Sequence, residues 1–263
     1  MFLVIGATAS VGRETVRLLL QAGEKVVAVT RDPAAVLPDG AQVATGDPSR
    51  PDTLTTVPDG VDAVLLSPRA SASTVEHPAD HRRFADEFRA VEEAVRRSGL
   101  RWTLLRCADF AANAPAWAPQ IRATGVVRGA YGDAVTSPIH QRDIAEMAVR
   151  ALTDREHAVH AGRTCLLTGP QSPDQRDKVR VIGEAIGREL SFQELAPAQV
   201  PQAMPAQGLA EDIPDRLLGS LADYANKPGP STDTVERLLG RPALPFAAWA
   251  AENSAAFVSS VRS

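Results

Sequence analysis

The sequence predicts an α/β fold: a doubly wound, mostly parallel sheet followed by a small, mostly helical C-terminal lobe. Three observations carry that expectation. The chain opens on an apolar run, Phe2-Leu-Val-Ile5, that empties into a turn of small residues, Gly6-Ala-Thr-Ala-Ser-Val-Gly12. Apolar strand-like runs then alternate with amphipathic helical patterns as far as Thr168. Beyond that point the pattern is helical and less regular.

The first helix shows as a stripe of Val11, Val16, Leu18, Leu19 and Leu20 that stops at Ala22-Gly23. A second strand follows at residues 25–30. Strand, glycine turn, helix and strand within about thirty residues form the unit that gives a glycine pattern its meaning. Such a turn brings bare backbone N–H groups and the positive end of a helix to one point, where a dinucleotide pyrophosphate fits. The other reading is a tight strand-to-helix turn alone. Ala9 stands where a middle glycine would allow the closest backbone approach, and its methyl narrows the gap without closing it.

The second strand ends on Thr30-Arg31-Asp32-Pro33. An acidic residue here accepts from a ribose 2′-OH, whereas an arginine forks onto a 2′-phosphate. Asp32 precedes a proline and a short helical stretch, Ala34-Ala-Val36, and is expected to cap it. Arg31 has no such local duty, which favours NADPH over NADH.

A third strand is expected at residues 41–45, closed by Gly46-Asp47-Pro48, and a fourth at 62–67, closed by Pro68; between them Pro51-Asp-Thr-Leu54 is at most a short helix. Leu66, Ser67, Pro68 and Arg69 then lie at the carboxyl end of a central strand, where ligands bind in open parallel sheets. Residues 78–98 read as an amphipathic helix with Phe84, Phe88, Val91 and Val95 on one stripe, ending at Gly99, and 100–106 as the next strand. Another strand is expected at 164–168. A helix with Val179, Ile182 and Ile186 follows, then an extended piece at 191–195 and helices at 197–207 and 209–225. Thr232 or Asp233 should start a helix that ends at Gly240. Met204, Leu217, Leu218 and Leu221 are lobe core or the lining of an apolar cavity. The division expected is a nucleotide-binding domain at 1–170 and a substrate lobe at 171–263 within one structural unit.

With 263 residues, 44% of them hydrophobic, the chain can bury a sizeable core. Its net charge is −4, and arginines interleave with acids without a long basic run, which argues against nucleic acid. No apolar stretch reaches membrane-spanning length, and residues 2–5 are too short for a signal-peptide core, so the expected location is the cytoplasm. Cys107 and Cys165 have no metal-spaced neighbours and read as reduced, buried fillers. His77 and His81 share a helical face but lack a third ligand, so no metal is expected.

Taken together, Gly6-Ala-Thr-Ala-Ser-Val-Gly12, Val29-Thr-Arg-Asp-Pro33, Ser98-Gly-Leu-Arg-Trp-Thr-Leu-Leu-Arg106, Phe110-Ala-Ala-Asn113 and Arg142-Asp-Ile-Ala145 resemble the NmrA-like, atypical short-chain dehydrogenase/reductase proteins. That group includes NAD(P)H-binding regulators and NADPH:quinone oxidoreductases. The resemblance reaches Gly240-Arg-Pro-Ala-Leu-Pro-Phe246 and Trp249, nearly the whole chain. It implies a Rossmann sheet in which Gly6, Thr8, Ala9, Ser10, Val11 and Gly12 cradle the pyrophosphate, Arg31 holds the 2′-phosphate and Asp47 lies by the adenine. It also implies that Phe110 and Asn113 face nicotinamide and substrate. One departure is large: a helix and strand of roughly twenty residues, usual between the fourth strand and the long helix, are missing, although a right-handed crossover to the next strand remains feasible. The expected result is a sheet one strand narrower.

Reduction needs a hydride donor held against an acceptor and a group that stabilises the oxygen gaining electrons. Better-known short-chain dehydrogenases use a tyrosine with a lysine four residues on, and here Val135 and Pro228 follow Tyr131 and Tyr224 at that spacing. A quinone acceptor relaxes the demand because its reduced form is a stabilised anion. Asn113 is a candidate hydrogen-bond donor to substrate, or else a helix cap or loop amide. His140 is a second candidate, Tyr131 a pocket wall, Asp143 a cap and buried partner, and Arg106 a ligand contact or the partner of an acid. The functions in view are an NADPH-dependent reductase of a small apolar carbonyl or quinone-like compound and a non-catalytic NADP(H) sensor acting on a protein partner. The expected assembly is a monomer or homodimer.

Overall fold

Phe2–Ile5 (β1) and Val26–Thr30 (β2) are buried at every position, as strands covered on both faces must be. They belong to a computed structural model that describes residues 1–48, 50–66, 81–154, 160–200 and 213–258. The chain forms two compact units that interleave along the sequence. One comprises Met1–His77, Asp86–Arg106 and Gln141–Cys165, the other Pro78–Ala85, Cys107–His140 and Leu166–Ser263. The sequence reading draws a single boundary at residue 170 instead.

In the first unit β1 and β2 join Gln42–Thr45 (β3) and Ala63–Leu66 (β4) in a four-stranded sheet of order β3-β2-β1-β4. All three pairings are parallel, with Phe2 opposite both Val26 and Ala63. Alternation along β1 and β2 sends Phe2, Val4, Val26 and Ala28 to one face. There they meet Val16 and Leu19 of α1 (Ser10–Gln21) and Val149 and Leu152 of α4 (Gln141–Thr153). Leu3, Ile5, Val27 and Val29 take the other face, against Leu54 and Val57. Leu54 lies in a 3₁₀ turn at Pro51–Thr56, the short helical piece expected there. Glu14 links the two helices, pairing with Arg17 on its own helix and lying 3.6 Å from Arg142 on α4.

The long helix is α2 (His81–Arg97), and the strand after it, β5, spans Thr103–Cys107. Among the described residues β5 hydrogen-bonds to β7 (Arg163–Leu167) and not to β4. The narrower continuous sheet expected from the sequence is therefore not what forms. Loss of a helix-strand pair preserves direction and handedness, but it removes the strand that would have bonded both neighbours. Among the described residues β4 has β1 as its one partner, and Val64 is 47% exposed.

The second unit pairs β6 (Val126–Gly129) in parallel with β8 (Ser191–Glu194). Its core gathers Ile121 of α3 (Ala118–Thr124), Val179 and Ile182 of α5 (Gln175–Ile186), and Phe246 and Trp249 of α8 (Phe246–Glu252). Trp249 stacks on Phe246 at 5.6 Å and meets Phe257 edge-on at 6.2 Å. The Asp174 side chain caps α5 by accepting from Asp177 N–H at 2.7 Å. α6 spans Ile213–Asn226, and α7 spans Thr234–Leu239 and ends at Gly240 as expected. Thr232 is bound into a ladder, its N–H donating to Thr168 Oγ1 at 2.9 Å and its hydroxyl to the Leu166 carbonyl at 3.0 Å.

One local expectation changes. Ala34-Ala-Val36 forms a turn, because Asp32 Oδ1 accepts from Ala34 N–H at 2.9 Å and Pro33 and Pro38 bracket a stretch too short to nucleate a helix. The helix expected at 197–207 opens on a 3₁₀ turn at Pro197–Gln199 and Val200 is helical, while residues 201–212, Met204 included, lie outside the described set. No helix among the described residues is long and apolar enough to cross a membrane.

Candidate functional site

The turn after β1 is shaped by two glycines. Gly6 has φ +87°, a left-handed conformation natural to glycine. Gly12 sits so close to β1 that an added Cβ would lie 2.2 Å from the Gly6 carbonyl oxygen. That contact seats the first turn of α1 on the end of the strand. Ala9 is the N-cap and carries no side chain able to occupy the helix terminus, and the first turn holds no acidic residue. The N–H groups at the start of α1 therefore stay open toward an anion. Thr8, Ala9 and Ser10 are exposed and Val11 is half-buried, so the cradle faces outward along its length.

Arg31 is exposed just past the end of β2. The structure adds a residue that the sequence reading passed over: Arg13, directly after Gly12, donates from Nη1 to the Val36 carbonyl at 2.7 Å. Its guanidinium thereby lies along the loop that Arg31 begins. The signal was available, since a cation one residue past the last glycine of the turn starts on the same helix end. Asp47 lies past β3, its N–H accepted by Thr53 Oγ1 at 2.7 Å and its carboxylate 3.8 Å from Arg50. Leu66 ends β4, half-buried, while Ser67, Pro68, Arg69 and His77 lie outside the described residues.

The second group of candidates belongs to the other unit. Phe110 N–H donates to Asp109 Oδ1 at 2.8 Å, and Phe110 bridges to Ile139. Phe110 is 38% exposed. Asn113 follows on the 3₁₀ turn Ala111–Trp117, exposed, with its amide side chain free of hydrogen bonds among the described residues. The Asn113 backbone N–H closes the turn on the Phe110 carbonyl at 3.0 Å. A partly exposed aromatic residue and an unengaged amide thus stand three residues apart at one turn.

Tyr131 has φ +58°, the one positive value among described residues other than glycine. Such a backbone costs on the order of 1–2 kcal/mol. It is held by its neighbours: Gly132 N–H donates to Glu194 at 3.0 Å, and Gln175 N–H donates to the Gly132 carbonyl at 3.0 Å. Arg176 ties Asp133 and Glu194 together across the same loop.

His140 is 1% exposed with Nε2 3.2 Å from Glu252 Oε2, a buried partner rather than a group open to substrate. Asp143 is fully buried at the start of α4. Arg106 pairs with an acid, donating to both Glu92 oxygens at 2.7 and 2.5 Å and holding that carboxyl below its ordinary pKa. Cys107 is reduced, and burial pushes its thiol up to about 12. Among the described residues no group of three metal-ligating side chains comes together.

Comparison with known proteins follows the same division. Residues 6–78 match a family model described as NAD(P)H-binding. Over 282 aligned positions the chain is 33% identical to a (4-alkanoyl-5-oxo-2,5-dihydrofuran-3-yl)methyl phosphate reductase from Streptomyces griseus, covering 98% of this chain and 99% of that one. It is 31% identical to an NAD(P)H azoreductase from Xenophilus azovorans, with 98% and 99% covered. A crystal structure of an NADPH-dependent quinone oxidoreductase from Escherichia coli superimposes with a TM-score of 0.77 at 25% identity, covering 96% of this chain and 99% of that one. The alignment to the Streptomyces protein is longer than this chain's 263 residues, so that relative carries residues this chain lacks.

Proposed function

Because the chain belongs to the NmrA-like, atypical short-chain dehydrogenase/reductase family, and is in that broad sense an NAD(P)H-dependent reductase, we propose that its acceptor is a small, apolar, conjugated carbonyl or quinone-like compound. NADPH is the cofactor. Gly6 and Gly12 bring the start of α1 against the end of β1, and the N–H groups in the first turn of α1, from Ser10 to Gly12, take the pyrophosphate, with Thr8 and Ala9 lining the cradle. Arg31, with Arg13 beside the same loop, takes the 2′-phosphate, and Asp47 stands by the adenine. Bound there, the cofactor supplies a hydride.

The observation that carries the acceptor class is the turn at Phe110–Asn113. An exposed ring offers a stacking face to a planar acceptor, and the free amide donates to one of its oxygens. Tyr131, held at φ +58°, is assigned as a wall for the acceptor in this reading. Quinones, azo compounds and unsaturated lactones, to which the relatives' names point, share a conjugated system that spreads the added charge. Such acceptors ask for orientation and a hydrogen bond more than for a strong acid.

The test follows NADPH absorbance with a panel of quinones, azo dyes and unsaturated lactones, beside Phe110→Ala and Asn113→Ala. Turnover that falls about tenfold or more in either variant, with NADPH binding retained, is the expected result. Tight NADPH binding with no turnover on any acceptor would replace the reductase by a non-catalytic nucleotide sensor.

A further inference from the structure

The turn assigned to the acceptor is tied to a buried lysine by hydrogen bonds that run without a break. Lys178 Nζ donates to Asp109 Oδ2 at 2.8 Å, Asp109 Oδ1 accepts from Phe110 N–H at 2.8 Å, and the Phe110 carbonyl accepts from Asn113 N–H at 3.0 Å. Thr136 closes the near end, its Oγ1 donating to Asp109 Oδ2 at 2.6 Å and accepting from Lys178 Nζ at 2.5 Å. Lys178 is 7% exposed and Thr136 is buried. All of these residues belong to the same compact unit.

This leaves the carboxylate one orientation. The single hydroxyl hydrogen of Thr136 goes to Oδ2, so the lysine donates to the hydroxyl, and two donors then hold Oδ2. Oδ1 is thereby turned toward the chain. In the bridge between Phe110 and Ile139 the ladder bonds run from Ile139 N–H to the Asp109 carbonyl at 3.1 Å and from Ala111 N–H to the Ile139 carbonyl at 3.0 Å, and both bypass Phe110 N–H. The Asp109 side chain is what holds that peptide. A buried ion pair is a weak source of stability, because desolvation offsets most of its attraction, so the local consequence of this one matters more. Resting on the reductase reading given above, we infer that Asp109 is a positioning residue for the acceptor, setting the backbone of Phe110 and through it Asn113, and that Lys178 and Thr136 hold it in that aim.

An N–H held by a carboxylate makes a strong hydrogen bond, and bonds in series polarise one another, so the Phe110 carbonyl becomes a better acceptor for Asn113 N–H. With Oδ1 swung away, the Phe110 peptide would be free to rotate and would carry its ring and the Asn113 amide with it. The anchor itself is firm. Gln175, at the start of the helix that bears Lys178, donates from Nε2 to the Ala134 carbonyl at 3.3 Å, and Thr136 N–H donates to the Pro173 carbonyl at 3.2 Å. One helix end therefore fixes both the loop after Tyr131 and the carboxylate before Phe110.

The experiment compares two paired changes in the whole protein, Asp109→Asn with Lys178→Met and Asp109→Ala with Lys178→Met. Both remove the two charges together, so neither leaves a lone buried ion, and only the carboxamide can still accept from Phe110 N–H. The measurements are kcat and KM for a quinone and for NADPH, Tm, and amide hydrogen exchange of a peptide containing Phe110 and Asn113. The carboxamide pair should stay within about threefold of wild type in quinone kcat/KM. The alanine pair should lose about tenfold or more, with the KM for NADPH unchanged and exchange in that peptide faster. Thr136→Val takes one donor from Oδ2 while the ion pair stays, and should show the same pattern at about threefold. Equal quinone kinetics in the two pairs, or wild-type kinetics and exchange in Thr136→Val, would overturn the positioning role and leave the reductase standing. A parallel loss of Tm, NADPH affinity and quinone turnover in the alanine pair would also overturn it, as a general loosening of the fold. Wild-type protein that reduces no acceptor would overturn the reductase reading instead; faster exchange in the alanine pair alone would then still uphold Asp109 as what sets the turn, and equal exchange would overturn that too.

Discussion

Replacing Gly12 by alanine puts the cofactor cradle under the most direct stress. The new Cβ would lie 2.2 Å from the Gly6 carbonyl oxygen, 2.8 Å from its carbon and 3.0 Å from Ala7 Cα. All three are backbone atoms, so no side chain can swing away. Relief to an ordinary contact of about 3.5 Å requires α1 to lift from β1 by around 1 Å. Overpacking of this kind costs about 1–3 kcal/mol, and in a chain of this size each kcal/mol lowers Tm by about 2–4 °C, giving a fall of roughly 2–12 °C. The same shift misaims the N–H groups at the start of α1. Losing one hydrogen bond to a charged group costs about 1.5–3 kcal/mol, so the Kd for NADPH should rise about tenfold or more. Thermal unfolding with and without NADPH, together with calorimetric titration, reads both effects. A variant with Tm within about 1 °C of wild type and unchanged NADPH affinity would refute the claim that close seating of α1 on β1 builds the cradle.

Arg31→Ala should raise the Kd for NADPH by about tenfold while leaving NADH nearly untouched, and Arg13→Ala should do the same to a smaller degree; equal losses for both nucleotides would remove these residues from the 2′-phosphate contact. The pH dependence of stability should carry the mark of His160. Burial, then Arg150 and Arg163, hold its pKa below the ordinary value of 6.5 against the opposing pull of Asp154. Its neutral form is favoured by folding, so its contribution is complete above pH 6.5 and fades as pH falls below it. His160→Gln should flatten the fall in Tm between about pH 7 and pH 5, and a variant that loses Tm as steeply as wild type would exclude the histidine as the cause.

What could be read from the sequence was local. Gly6 and Gly12 announced a strand-to-helix turn because their spacing and the apolar run before them lie within a dozen residues, and the contact between them bears this out. Asp233 and Gly240 likewise mark the two ends of α7 from neighbouring residues alone. The pairing of β6 with β8 was not legible, since each strand has four residues and more than sixty positions separate them. Nor was the pairing of β5 with β7, because the loss of a helix-strand unit changes which edge meets which without altering either strand's own pattern. Side-chain clusters show the same limit: Thr136 and Lys178 reach the Asp109 carboxylate from positions far apart in the sequence.

The central claim is that the turn from Gly6 to Gly12 binds the diphosphate of a reduced nicotinamide nucleotide. Calorimetric titration of the unmodified protein with NADPH and then NADH tests it most directly. The account predicts saturable binding of both, tighter for NADPH, with Tm rising in step. Absence of heat and of thermal stabilisation at millimolar concentrations of either nucleotide would contradict it.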